Sequence, residues 1–454
     1  MNKLLLKCTI AAALGGLLFG YDTVIINGAM IELIRHFNLT PSQQGWTVSS
    51  ALIGCILGTF LVSKPADKYG AKLILELLAL IFFISSLGCG LSANISTFII
   101  FRLIGGLAIG GASVLCPVYI SEISPPKHRG LLTSTFQLAI VLGILLSLLT
   151  NYLLVNFGEN NWRWMLISGT LPAIFFFLLL LSVKNSPRWL VKKGKIQEAT
   201  RTIEELSSSE LDSDFTINQI QESIQLEVKG NRINLFKKPF KRITFIGINV
   251  GIISQLTGIG IVFYYSSQIF SIAGFSNDSS LGQSVILGVT NLIFTILAML
   301  IIDKVGRKKL LLIGQIGMFL MLGTFGFGLV FGKIGGYWLV LLLVSYIAFF
   351  AASQGVVVWV LLSEMIPNII RARGVSMGSL ANWVISTILN LFFPIVIGLF
   401  GASQASQKIG LGYAFLFLSI TTLIGFVYLR INIIETKGKT LELIEKEYMH
   451  DKVQ

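Results

Sequence analysis

Apolar stretches of about 20 residues recur along the whole chain and are separated by polar segments. Each stretch is long enough to cross the ~30 Å hydrocarbon core of a bilayer as an α-helix. The pattern therefore predicts an all-α membrane protein with twelve transmembrane helices. The predicted spans are residues 8–28, 46–63, 73–92, 96–119, 131–155, 164–183, 243–272, 281–302, 310–331, 336–366, 374–400 and 411–433.

The composition argues against a soluble protein. Of the 454 residues, 54% are hydrophobic and 13% are charged, and the mean hydropathy is +0.79. Soluble domains carry about 25% charged residues because their surface faces water. A soluble protein with buried core helices would need apolar runs of only roughly 10–14 residues and many more charges.

The basic residues are distributed unevenly between the segments that connect the spans. With both termini placed inside, the inner segments hold 30 of the 35 Lys and Arg, the outer segments hold four, and Arg102 lies within a span. Cytoplasmic segments carry such an excess of basic residues. We therefore expect a multi-pass protein of a bacterial-type inner cell membrane with both termini in the cytoplasm. This distribution accounts for the net charge of +13 without a nucleic-acid partner.

A polar, charged segment at 184–242 interrupts the apolar pattern and divides the spans six and six. We expect it to form short helices at the cytoplasmic surface. The predicted divisions are an N-terminal six-helix half at 1–183, this helical linker at 184–242, a C-terminal six-helix half at 243–433 and a cytoplasmic tail at 434–454.

Two motifs occur once in each half. The first reads DKYGAK at 67–72 after span 2 and DKVGRK at 303–308 after span 8, an offset of 236 residues. The second has the pattern S-E-x-x-P-x-x-x-R, at 121–129 after span 4 and at 363–371 after span 10, an offset of 242 residues. Two different motifs at nearly equal offsets indicate that a six-helix unit has been duplicated.

The repeated loops place acidic and basic groups at the predicted cytoplasmic helix ends. Such groups can pair across helices when the inner side of a transporter is closed, and they separate when it opens. The alternative is that they are ordinary cytoplasmic basic residues balanced by acids, which is the simpler interpretation of the Lys and Arg alone. The equal Glu–Arg spacing in both copies favours a gate. The candidate gate residues are Asp67, Glu122, Arg129, Arg188, Asp303, Arg307, Glu364 and Arg371.

Asp22 and Arg102 are the charged residues furthest from the water on either side. A charge within a span is costly and is a functional candidate by default. At ~1.5 Å per residue, Asp22 lies about 21 Å and Arg102 about 22 Å above the inner edge of the membrane core, so we expect them to pair. A carboxylate that alternately pairs with an arginine and binds a proton can couple proton movement to a conformational change. The alternative is a static buried ion pair.

Several segments together carry a resemblance to a known family. They read GYDT at 20–23, FRLIGG at 101–106, SPRWL at 186–190, QLTGI at 255–259, FYY at 263–265, DKVGRK at 303–308, WVLLSE at 359–364 and ETKGKT at 435–440. In this order and spacing they resemble the sugar porter family of the major facilitator superfamily, and the similarity runs essentially from end to end.

The resemblance implies the major facilitator fold and a sugar that is moved by alternating access. Proton-coupled members carry Asp at the position of Asp22, whereas facilitative glucose carriers commonly carry Asn. A sugar site needs amides for the hydroxyls and aromatic rings for the weakly apolar ring face. Without the resemblance, an isolated amide or Trp in a span is more often a helix contact or an interfacial anchor. The positions that match the family's site are Phe19, Gln137, Gln255, Tyr264, Asn291, Trp359, Asn382 and Trp383.

The chain departs from the family pattern at several places. Ser254 replaces the first of two glutamines in span 7, and Gly260 replaces an expected asparagine. The segment at 355–359 lacks the prolines that flank a kink in span 10, which puts a proline-driven hinge there in doubt. The substrate therefore need not be xylose or glucose, and the alternatives are a polyol or another compound altogether.

The predicted function is a proton-coupled importer of a pentose or hexose, with Asp22 as the proton carrier. One alternative is a facilitative sugar or polyol uniporter, in which Asp22 only forms a static ion pair with Arg102. A more remote one is a sugar sensor that does not transport, but sensors usually have long signalling tails and 24 residues follow Arg430. No nucleophile–base set, metal cluster or phosphate loop points to an enzyme. The expected partners are the sugar, the proton as coupling ion and the lipid bilayer, with no other cofactor, and we expect a functional monomer.

Overall fold

The computed structural model describes residues 2–125, 128–206, 213–230, 233–332, 334–401, 403–439 and 441–449. Over these ranges the chain forms twenty α-helices and one 3₁₀ helix, and no strand is assigned. Lys127, Lys333 and the serines at 207–209, which entered the charge and linker predictions, lie outside the described residues.

The helices have the following bounds. The first eleven are α1 (Lys3–Phe37), α2 (Pro41–Leu61), α3 (Ser63–Tyr69), α4 (Ala71–Leu91), α5 (Ile95–Ile123), α6 (Arg129–Leu154), α7 (Asn161–Ile167), α8 (Thr170–Leu181), α9 (Pro187–Lys192), α10 (Ile196–Leu206) and α11 (Ser213–Gly230). The others are α12 (Lys241–Leu256), α13 (Ile259–Ala273), α14 (Asn277–Val305), α15 (Arg307–Phe331), α16 (Tyr337–Ala352), α17 (Gln354–Met365), α18 (Arg371–Gly398), α19 (Gln404–Asn432) and α20 (Leu441–Met449).

Twelve helices or broken helices are long and apolar enough to cross a membrane. They are α1, α2, α4, α5, α6, the pair α7–α8, the pair α12–α13, α14, α15, the pair α16–α17, α18 and α19. The predicted number of spans is confirmed. Most of these helices are longer than the spans predicted from the sequence, because they continue into polar sequence at their ends.

The chain divides into two compact units. One comprises Met1–Ala29 and Ser50–Asn231, and the other comprises Met30–Ser49 and Arg232–Gln454. Residues 30–49 are grouped with the second unit because they contact its helices. Ser49 Oγ donates to the Thr387 carbonyl at 3.2 Å, and Gln268 Nε2 donates to Gln44 Oε1 at 3.3 Å. The division of the chain at 183 and 243 stays a prediction.

Glycines allow the helix backbones of the first unit to pack closely. A Cβ added to Gly106 on α5 would lie 1.9 Å from the Ala51 carbonyl oxygen on α2. A Cβ added to Gly20 on α1 would lie 1.9 Å from the Ile140 carbonyl oxygen on α6. Small residues at such contacts are typical of membrane proteins, in which backbone packing drives helix association.

The second unit contains a comparable contact. A Cβ added to Gly251 on α12 would lie 2.1 Å from the Gly378 carbonyl oxygen on α18. In the predicted duplication, α12 and α18 are spans 7 and 11, the counterparts of spans 1 and 5 formed by α1 and α6. The same pair of spans is therefore held together by a glycine contact in each half.

Two spans of the second unit are broken near the predicted sugar residues. Span 7 breaks at Gly258, whose φ of +83° is a left-handed conformation that favours glycine. Tyr346 Oη donates to the Thr257 carbonyl at 2.9 Å, which satisfies a backbone group that the break frees. Span 10 breaks at Ser353, where φ is −130° and ψ is −88°. This break forms without the prolines of the family pattern.

The segment between α8 and α12 packs on a small core of its own. Helices α9, α10 and α11 enclose a cluster formed by Leu190, Val191, Ala199, Ile203 and Ile217. Short helices in this segment are what the sequence predicts. The C-terminal helix α20 packs Ile444 and Tyr448 into the core of the second unit, and burial raises the pKa of Tyr448 to about 12.

Candidate functional site

Asp22 and Arg102 form a buried ion pair in the first unit. Arg102 Nη1 donates to Asp22 Oδ1 at 2.6 Å, and the two side chains are 3% and 12% exposed, respectively. Asp22 lies on α1 and Arg102 on α5, 80 residues further along the chain. Because an isolated charge is unfavourable in a low-dielectric interior, the ion pair offsets part of the cost of burying both groups.

Phe19 and Gln137 lie on the two helices of the α1–α6 contact. Phe19 precedes Gly20, which packs against the carbonyl of Ile140, and Gln137 is one turn before Ile140. Both side chains are partly buried. The α1 helix thus carries Phe19 and Asp22 within one turn, close to the helix that carries Gln137.

Amides of the second unit form a network between α12 and α18. Gln255 Nε2 donates to Asn382 Oδ1 at 3.3 Å. Asn382 Nδ2 donates to Ser254 Oγ at 2.5 Å and to the Gly251 carbonyl at 3.4 Å. Ser254, which replaces an amide of the family pattern, therefore binds the amide of the neighbouring helix. Asn382 is buried, whereas Gln255 is partly exposed.

The remaining predicted sugar residues lie on four helices of the same unit. Tyr264 on α13 and Asn291 on α14 are buried, at 5% and 4% exposure. Trp359 on α17 is 38% exposed, and Trp383 on α18 is partly buried beside Asn382. Part of the Trp359 indole is therefore left uncovered by the rest of the protein.

The predicted gate residues of the first unit form two ion pairs with the segment after α8. Lys192 Nζ lies 2.7 Å from Asp67 Oδ1. Arg188 Nε lies 3.8 Å from Glu122 Oε1, beyond hydrogen-bond distance. Arg129 is exposed. Lys192 was missed by the sequence analysis because no repeated motif contains it.

In the second unit, Arg307 binds two carboxylates. Its Nη1 lies 2.8 Å from Asp303 Oδ1 and its Nη2 lies 2.9 Å from Glu364 Oε1. Glu364 Oε2 also accepts a hydrogen bond from Thr436 Oγ1 at 2.6 Å. Arg371 Nε donates to the Ile366 carbonyl at 3.1 Å. Glu364 therefore pairs with the arginine of the other repeated motif and not with Arg371, seven residues further along.

Glu435 is a further residue of this cluster that the sequence analysis did not identify. Its carboxylate accepts hydrogen bonds from the backbone N–H groups of Arg307 at 2.8 Å and Lys308 at 3.1 Å. These are the first two residues of α15, whose N–H groups have no partner within the helix. Glu435 thus caps α15 and joins it to the segment that follows α19. Its position in the motif at 435–440 was the only signal.

We expect Glu435→Ala to lower the stability of the protein by about 1–2 kcal/mol, because it uncaps the first turn of α15. Thermal unfolding of the purified protein in detergent measures this loss. Glu447→Ala is the matched control, since Glu447 makes a partly exposed pair with Lys439 at 2.6 Å and such pairs contribute little. Equal melting temperatures for the two variants would contradict the capping role.

The described residues contain no group of three or more His, Cys, Asp and Glu arranged to hold a metal ion. The four cysteines are buried free thiols, as expected for small apolar residues of the spans.

Comparison with known proteins assigns the family. A family model described as "Sugar (and other) transporter" matches residues 8–448. An arabinose-proton symporter from Bacillus subtilis (strain 168) is 36% identical over 449 residues, which cover 98% of this chain and 94% of the relative. A D-xylose transporter from Levilactobacillus brevis is 38% identical over 438 residues, which cover 95% and 93% of the two chains.

Solved structures agree with this assignment. The inward open conformation of the xylose transporter XylE from E. coli matches with a TM-score of 0.84 and 32% identity, over 98% of this chain and 99% of that one. Its partially occluded inward open conformation matches with a TM-score of 0.83 and 33% identity, over 97% and 100% of the two chains. These relatives are transporters and not enzymes. The chain accordingly belongs to the sugar transporter family and has the twelve-helix fold of the major facilitator superfamily.

Proposed function

We propose that the protein imports a monosaccharide together with a proton by alternating access. The observation that carries the proposal is the buried ion pair of Asp22 and Arg102, in a chain of the sugar transporter family. The relative that is named as an arabinose-proton symporter supports the same interpretation. The predicted cell membrane, cytoplasmic termini and monomeric state belong to this proposal.

Asp22 is the proposed proton carrier. When its carboxylate is ionised, the contact with Arg102 at 2.6 Å stabilises the packing of α1 against α5. A proton on Asp22 removes the charge and weakens the pair, so the two protonation states favour different conformations. Proton binding then changes the balance between conformations of the transporter, which is the requirement for coupling.

The sugar is proposed to bind the amides and aromatic rings described above. Gln255 is accessible and is oriented by Asn382, and Trp359 offers an exposed ring. Phe19 and Gln137, on the first unit, match the family's sugar residues in the sequence and stay predicted sugar contacts. Because these groups are neutral, they suit a substrate that carries hydroxyls and no charge, such as a pentose, a hexose or a polyol.

Uptake by proteoliposomes tests the function. We expect at least one sugar of a panel of pentoses, hexoses and polyols to accumulate when the outside is more acidic than the inside. The same vesicles without a pH gradient should only equilibrate the sugar. Uptake that is indifferent to the gradient would support the uniporter, and no uptake of any compound would contradict a sugar transporter.

A further inference from the structure

A groove lies at the surface of the first unit, between the first turns of α1 and the end of α8. Its volume is about 250 Å³, and it is lined by Lys3, Leu6, Lys7, Ile10 and Leu179. The lining residues of α1 follow one another at intervals of one, three or four positions, so they share one face of that helix. The groove therefore combines two cationic side chains with three apolar ones.

The groove lies at the level where two spans end. Span 1 begins with Lys3, and span 6 ends with Leu181. Further along, α1 and α8 contact each other, since a Cβ added to Gly15 would lie 3.2 Å from Phe176 Cζ. The two lysines consequently stand at the same end of the spans as the last turn of α8, where lipid headgroups meet a transmembrane helix.

The apolar side chains beside the groove face away from the protein. On α1, Leu6 and Ile10 are 41% and 48% exposed. On α8, Leu178 and Leu181 are 54% and 52% exposed. On a transmembrane helix such side chains contact lipid tails, which are as apolar as leucine itself. The apolar wall of the groove is thus continuous with a lipid-facing surface.

The two lysines of the groove have no carboxylate of their own. Both are exposed, and neither ammonium group forms an ion pair or a hydrogen bond within the described residues. Glu205 lies near the start of α1, because its carbonyl accepts from Asn2 Nδ2 at 2.6 Å, but its carboxylate pairs with Lys184 at 3.1 Å. Like charges four residues apart repel each other, so an anion between Lys3 and Lys7 is favourable.

The second unit has a pair of lysines with the same spacing. Lys237 and Lys241 are exposed and lie at the start of span 7, the counterpart of span 1 in the predicted duplication. The exposed apolar side chains beside them are Phe236 and Phe245, whose ring centroids are 6.0 Å apart. This pair carries the same charge at the corresponding helix end in different apolar surroundings.

We propose that the groove binds an anionic phospholipid of the predicted cytoplasmic leaflet. The lipid phosphate pairs with Lys3 and Lys7, whose Cβ atoms are about 5–6 Å apart at this spacing, and the acyl chains cover Leu6, Ile10 and Leu179. A water molecule occupies about 30 Å³ of liquid, so the groove has room for a phosphodiester. Basic pockets between transmembrane helices at this surface are known to hold anionic headgroups. The apolar wall favours a lipid over a soluble anion, which has no apolar part to cover it.

Titration of the purified, delipidated protein in detergent with phosphatidylglycerol tests the proposal. We expect native mass spectrometry to show one tightly held lipid, and phosphatidylcholine to bind more weakly because its headgroup has no net charge. Lys3→Gln/Lys7→Gln should weaken the binding of phosphatidylglycerol at least about tenfold, since both attractive charges are lost. Lys3→Arg/Lys7→Arg keeps the charges and should stay within about threefold of the wild type. Without lipid, all variants should melt at the wild-type temperature, as is usual for changes at exposed residues.

Lys237→Gln/Lys241→Gln is the matched control, and it should leave the affinity for the tightly held lipid unchanged. Equal losses in the two glutamine variants would overturn the proposal, because the attraction would then follow from net charge alone. Leu6→Ser/Ile10→Ser should also weaken the binding of phosphatidylglycerol. Full affinity in that variant, together with competition by inorganic phosphate, would mean that the groove takes a soluble anion and not a lipid. The measurement needs no sugar, so its outcome is independent of the proposed transport function.

Discussion

Asp22→Asn is expected to abolish the accumulation of sugar against its gradient, while exchange of sugar across the membrane continues. Asparagine can still accept a hydrogen bond from Arg102, which lies 2.6 Å from Asp22 Oδ1. It cannot change its charge, however, so proton binding no longer alters the balance between conformations. Gradient-driven uptake and counterflow of labelled sugar in proteoliposomes measure the two activities separately.

The variant also leaves Arg102 as a buried charge without a carboxylate, which typically costs about 3–5 kcal/mol of stability. Adding Arg102→Gln removes that charge, so the double variant should regain stability and still fail to accumulate sugar. Asp278→Asn is the control for the same change at an exposed acidic residue. Restored accumulation in the double variant would show that Asp22 only compensates the buried charge of Arg102 and does not carry the proton.

Gln255→Leu is expected to lower the affinity for the transported sugar by roughly 10–100-fold. The side chain is partly exposed and is oriented by its hydrogen bond to Asn382 at 3.3 Å. Leucine removes a group proposed to bind a sugar hydroxyl and also leaves Asn382 Oδ1 without this donor. Each unsatisfied polar group of this kind costs about 1–3 kcal/mol, which corresponds to that range of affinity. Competition with labelled sugar for the purified protein gives the affinity directly.

Gln315→Leu is the matched control for this variant. Gln315 lies on α15 in the same unit and is fully buried, and neither of its amide atoms has a hydrogen-bond partner among the described residues. Replacing an amide without partners by an apolar group of similar size is nearly neutral or stabilising. We therefore expect its affinity to remain within about twofold of the wild type. A similar loss in both variants would mean that packing of the second unit, and not the hydroxyl contact, controls affinity.

The twelve spans and the family were predictable because their signals are properties of short segments. The free energy of moving a segment into a membrane is a sum over its own residues, so hydropathy alone locates each span. The two repeated motifs are equally local. The prediction was incomplete where the local signal was absent. The segment at 355–359 contains no proline, so the sequence argued against a proline-driven hinge, but span 10 nonetheless breaks at Ser353.

The pairing of polar groups was only partly predictable. Depth within the membrane suggested Asp22 and Arg102 as partners. The direction of each span and the position of the residue along it give the depth of each side chain, and the two depths are similar. No such constraint acts on the loops. The equal Glu–Arg spacing drew attention to Glu364 and Arg371, whereas the structure pairs Glu364 with Arg307, 57 residues earlier.

The sequence by itself determined that this is a membrane protein with twelve spans in two related halves, and that Asp22 and Arg102 lie at a similar depth. These conclusions follow from the composition of each segment, the order of the motifs and the distance of a residue along its own helix. The tertiary structure alone decided that Ser254 binds Asn382, that Glu435 caps α15 and that Asn390 fills the space beside Gly260. Each of these contacts joins residues more than 120 positions apart. Whether such atoms meet depends on how helices cross and rotate, which the packing of the whole unit sets and no short segment encodes.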